Sequence, residues 1–163
     1  MTRFDQITAS FWSDSPHGRQ PPLTQSAIRD AEGLLGVKLP AALLDLLRIQ
    51  NGGVVADEWS SYPTGGATSS SEHVPFECVM GIGRAEGTLS ILDTPYLLKE
   101  WDLPVPTVLL AGDGHTWIAL DYRKSGPQGA PSVTWFDADR RSELPLAPDF
   151  RSFVQGLGNS GDK

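Results

Sequence analysis

Cysteine is almost absent from this chain: Cys78 is the single thiol in 163 residues. A lone thiol forms no internal disulfide, and metal centres built on two or more cysteines are excluded. Long apolar runs are missing too. No stretch approaches the roughly 20 apolar residues that a membrane-spanning helix requires. The opening Met1-Thr2-Arg3-Phe4-Asp5 carries no apolar run of signal-peptide length, which points to a cytoplasmic location. Hydrophobic residues make up 39% of the chain, below the usual share, while 17 Gly and 13 Pro predict short, well punctuated elements. A chain of this size buries roughly 70% of its unfolded surface, so a core needs neither metal nor disulfide.

Positive charge is scarce in one region. Residues 51–122 hold ten acidic side chains against only Arg84 and Lys99, whereas 1–50 are balanced at five and five. The rest carries six basic and five acidic residues, and the whole sums to −7. An acidic middle disfavours direct contact with a nucleic-acid backbone and favours a basic partner, although net charge also serves solubility alone.

Motifs for chemistry are equally sparse. Gly81-Ile82-Gly83-Arg84-Ala85-Glu86-Gly87 is one residue off a dinucleotide fingerprint. The next residues, Thr88-Leu89-Ser90-Ile91-Leu92, suit a strand or turn better than the helix a phosphate loop needs. Asp113, His115, Asp121, Asp137 and Asp139 match no recognised ligand spacing. No Gly-x-Ser-x-Gly elbow occurs, and Cys78, between Phe76 and Val79 with no cation adjacent, reads as a buried, inert thiol. His17 and His73 sit in polar stretches and are expected in solvent. Catalytic, cofactor and metal residues are therefore expected to be none.

The chain does contain a run of helices succeeded by strands. Phe4, Ile7 and Phe11 recur with helical spacing. Thr24 caps a second helix, with Leu23 and Ile28 as its staple, Ile28, Ala31, Leu34 and Leu35 as its apolar stripe and Gly36 as its stop. Gly33 inside it suggests a close approach. Pro40 suits the first turn of a third helix bearing Leu43, Leu44, Leu46, Leu47 and Ile49, ended by Asn51-Gly52-Gly53. Residues 57–73 are polar and rich in Gly and Ser, the pattern of a mobile surface loop. Residues 74–80 suit an edge strand because of Pro75, and 95–101 a short helix capped by Asp93 or Thr94. Strands are predicted over 105–110, 115–122 and 132–136, with Asp113-Gly114 a tight turn, and Phe150, Phe153, Val154 and Leu157 return to helical spacing.

These features fall in a familiar order. Ile28 and Glu32, then Leu35-Gly36-Val37-Lys38-Leu39-Pro40, Leu46-Leu47 and Asn51-Gly52-Gly53 resemble the opening of the SUKH superfamily, the Smi/Knr cell-wall-assembly-regulator family. Leu103-Pro104, Gly112-Asp113-Gly114, Trp117-Ile118-Ala119-Leu120-Asp121, Trp135-Phe136-Asp137 and Phe150-Arg151-Ser152-Phe153-Val154 continue the likeness, which spans 23–157. The long 57–73 segment and the Gly-Asp-Gly-His turn depart from it. The resemblance implies a single α+β domain with helices packed on a largely antiparallel or mixed sheet. Residues 1–22 would form a short helix and loop of the same domain, and 158–163 a frayed tail. It also implies a non-catalytic protein-binding role, either as an immunity protein neutralising a toxin, such as a basic nuclease domain, or as a regulatory module. A small enzyme or nucleotide-binding protein is the alternative class.

Candidate partner-binding residues are Asp57, Glu58, Trp59, Tyr62, Glu72 and Asp113. Trp and Tyr are favoured interface anchors, and the acids would attract a basic surface. The plain alternative is that the 57–73 segment folds back and buries both rings.

Overall fold

Each helix begins and ends where local chemistry dictates. In the computed structural model, which describes residues 3–64, 73–112 and 114–158, α1 spans Arg3–Thr8, α2 Gln25–Leu35 and α3 Ala41–Ile49. The Thr24 hydroxyl accepts from the Ala27 amide at 3.1 Å, and Gly36 closes α2 in the left-handed region at φ 72°. Pro40 is the residue just before α3 rather than part of its first turn. Two apolar residues depart from the expected stripes: Leu34 is 50% exposed and Ile49 is 59% exposed. Nothing approaches within 4 Å of a side chain built at Gly33, so no close packing accounts for it.

Strand β1 (Gly53–Val54) pairs with β4 (Cys78–Val79), and β2 (Ser61–Pro63) with β3 (His73–Pro75). The span 74–80, predicted as one strand, is thus split between two partners. The break falls at Phe76, fully buried, whose amide donates to the Ser60 carbonyl. Both described ends of the polar segment are structured, as a 3-10 turn at Asp57–Trp59 and as the β2–β3 pair. Its middle, 65–72, lies outside the described residues. His73 is half-buried in β3, not in a solvated loop.

Helix α4 (Thr94–Glu100) comes after a 3-10 turn, Ile91–Asp93. Asp93 is the N-cap residue of α4, one of the two expected, but its side chain makes no capping bond to α4: its carboxylate accepts the Ser90 amide, while the Ser90 hydroxyl accepts from Leu92 and caps the 3-10 turn. The Thr94 hydroxyl instead accepts from the Leu109 amide at 3.2 Å and ties α4 to the sheet.

That sheet is an antiparallel meander of β5 (Thr107–Gly112), β6 (Thr116–Asp121), β7 (Ser132–Asp137) and β8 (Ser142–Ala147), in sequential order. Strand β5 starts two residues later than predicted, beyond Pro104 and Pro106. Strand β8 is absent from the sequence-based expectation, since Pro145 interrupts its pattern, and the proline is tolerated because β8 is an edge. Helix α5 (Phe150–Gln155) packs against β8, β7, α3 and α1. Phe4, Ile7 and Phe11 share one core with Leu46, Leu47, Phe76, Leu120 and Phe153. Gly158, expected in a frayed tail, instead exchanges both backbone bonds with Ser61 at 2.9 Å. Residues 159–163 lie outside the described set. The architecture is α+β, helices on a largely antiparallel sheet.

Candidate protein-binding surface

The polar residues of the sequence motifs turn out to be joints. The Glu32 carboxylate reaches back from α2 to accept the Leu39 amide at 2.7 Å, so it fixes the entry to α3. The Tyr122 hydroxyl, fully buried, donates to the Lys38 carbonyl at 2.7 Å and docks the same connection on the end of β6. Burial, with Glu32 nearby, pushes this phenol up, so it stays a donor. Asn51, 4% exposed, accepts from the Ile82 amide at 2.8 Å and donates to the Pro21 and Ile82 carbonyls at 2.7 Å. Gly52, at φ 88°, lets Gly81 pass against it: a side chain there would meet the Gly81 amide nitrogen at 2.5 Å.

The Gly81–Gly87 stretch is therefore a turn held from below. Three of its amides are already taken: Ile82 by Asn51, Gly83 by the Ser90 hydroxyl at 3.2 Å and Ala85 by the Gln20 side-chain oxygen Oε1 at 2.8 Å. A phosphate cradle needs such amides free and aimed outward. No helix begins directly after it.

The acids near the β5–β6 turn are likewise dispersed. His115 Nδ1 lies 3.0 Å from Asp139, while Asp137 accepts from the Arg140 amide at 3.1 Å. Asp121 belongs to a network of its own with Arg123, Glu143 and Thr134. Burial raises its carboxyl, but the Arg123 and Thr134 hydrogen bonds outweigh this, and it ends below its usual range. Among the described residues no three His, Cys, Asp or Glu side chains are grouped to hold a metal.

The candidate binding residues separate into three groups. Asp57, Glu58 and Trp59 share the 3-10 turn, the two acids exposed and Trp59 half-buried. The Trp59 indole donates to Ser10 Oγ at 3.1 Å and lies under the Arg3 guanidinium at 5.9 Å. Tyr62 turns inward: its ring stacks on Phe153 at 4.8 Å and its hydroxyl donates to the Leu146 carbonyl at 2.9 Å. It holds the β2–β3 pair onto the core. Glu72 and Asp113 lie outside the described residues.

A second surface escaped sequence reading. Two hollows, about 230 and about 320 Å³, share Cys78, Ala111 and Gly112 in their walls. The smaller is also walled by Glu77, Trp117 and Trp135. Cys78 is exposed here, not buried as expected, because β4 turns its side chain away from the core while Val79 faces in. Burial of its surroundings and Glu77 alongside still push the thiol up, which disfavours the reactive thiolate. No periodicity could have shown that Trp135 stands opposite Ile118, since that pairing is set by the β6–β7 register.

Fold and surfaces together define an α+β domain whose polar motifs brace the scaffold. The chain belongs to the SMI1 / KNR4 family (SUKH-1), which it matches over residues 22–156. No curated protein matches it. Family membership supports a protein-interaction or immunity-type role at the level of the family. No helix among the described residues is long and apolar enough to cross a membrane.

Proposed function

We propose that this protein binds and neutralises a toxin in the cytoplasm, acting as an immunity protein without catalysis of its own. Membership of the SMI1 / KNR4 family is the observation that carries the reading. The excess of ten acids over two bases in 51–122 supports a basic partner, such as a nuclease domain. Asp57 and Glu58, exposed on one 3-10 turn, offer carboxylates that would steer its approach. A regulatory protein-binding module is the related reading, and it differs in having partners that are not toxic. The test is co-expression with the C-terminal domain of any large secreted protein found encoded beside this gene. Restored growth and a stoichiometric complex by calorimetry are expected. A toxic domain that neither binds nor is silenced would overturn the neutralising role.

A further inference from the structure

Exposed apolar side chains are few on this molecule, and they gather on one side. Among the described residues five large ones are exposed, and three of these meet around α4. Leu34 and Val105, the latter 65% exposed, wall a hollow of about 560 Å³ between the end of α2, α4 and the approach to β5. Leu35, Val37, Leu98 and Leu103 continue its lining. Tyr96, 66% exposed, projects from α4 beside Pro95 of the wall. Contiguous apolar groups of this kind mark interaction sites, whereas scattered ones need no partner.

Charge narrows what covers the hollow. Lys99 and Asp102 line it, Glu100 adjoins it and Arg141 holds Asp102 at 2.9 Å, which makes two charges of each sign. This neutral face stands out in a chain of net charge −7 and offers a basic partner no excess of carboxylates. Lys99 and Glu100 are both exposed, and neither makes an ion pair among the described residues. As consecutive helical residues they diverge and do not face each other. A cation and an anion placed side by side are their own complement: a two-fold axis beside them matches each with the opposite charge of a second copy. Shape repeats the pattern, with projecting apolar side chains next to a hollow.

We propose that this face binds a second copy of the same chain as an isologous dimer. The two α4 helices run antiparallel across the axis, with Lys99 against the partner's Glu100 and Glu100 against the partner's Lys99. Tyr96 and Val105 of each copy cover the hollow of the other. The contact uses no residue of the Asp57–Trp59 turn, so it stands apart from the neutralising role.

The test is sedimentation equilibrium of the full chain over a dilution series of about a hundredfold. All samples carry Cys78→Ser, so that an intermolecular disulfide cannot imitate the dimer. The expected result is a concentration-dependent rise from one chain mass to two. Tyr96→Glu and Val105→Glu, both at exposed positions, should leave the monomer folded by circular dichroism and abolish the rise. Ile49→Glu, exposed but outside the hollow, should leave it unchanged. Lys99→Glu sets carboxylate against carboxylate and should weaken the dimer on the order of tenfold. Lys99→Glu combined with Glu100→Lys restores the match and should recover it. One chain mass at every concentration would overturn the proposal. So would a dimer indifferent to Tyr96→Glu and Val105→Glu, or a double charge exchange no better than Lys99→Glu alone.

Discussion

Asn51 shows how much one side chain can hold. Its amide joins the end of α3 to Pro21 and to both backbone groups of Ile82. Asn51→Ala strands those three buried groups, and a loss of about 3 kcal/mol is expected from the denaturant midpoint at unchanged slope. Asp121 is the residue through which acid should act. Its folded carboxyl lies below the ordinary value, so its stabilisation is complete above about pH 4 and lost as pH falls through the folded value. Asp121→Asn should therefore be less stable than the natural chain at neutral pH, and the gap should close in strong acid. Urea midpoints collected from about pH 7 down to about pH 2.5 would check this.

At the scale of elements, α3 is the centre of the core. Leu46 and Leu47 are both fully buried, so Leu46→Ala should cost about 2–5 kcal/mol by thermal or chemical melting. Ile49→Ala, at a position 59% exposed, should cost far less. The capped helices and central strands were legible because their signals are local: Thr24, Gly36 and the apolar run Trp117-Ile118-Ala119-Leu120 in β6 need no distant partner. Elements fixed by tertiary contact were not. Strand β8 carries Pro145 and exists because β7 offers an edge, and Cys78 faces outward because β4 pairs with β1. Tyr62 is the same lesson at the candidate site. Its sequence neighbours are polar, yet Phe153, far along the chain, supplies the stacking surface that draws it in. The hollow walled by Cys78, Ile118 and Trp135 depends on strand pairing, which no local pattern encodes.

For the whole molecule, the uneven charge bears on how quickly a partner arrives. Asp57→Lys with Glu58→Lys should slow association with a basic partner on the order of tenfold and change dissociation little, because exposed charges act mainly on encounter. Stopped-flow kinetics would read this. Near 1 M salt, where the Debye length is about 3 Å, natural and altered proteins should converge. Association indifferent to both changes would remove the steering argument.

The reciprocal bonds between Ser61 and Gly158 join the base of the β2–β3 pair to the chain just beyond α5. Each amide meets solvent catalyst when its own bond parts, and separation of the two segments frees both. In deuterated buffer their protons should be lost in step, with one shared opening free energy, while amides in the middle of β6 persist longer. The finger of chain that holds Tyr62 and the final helix would thus open as one flap, on its own clock, while the meander beneath stays closed.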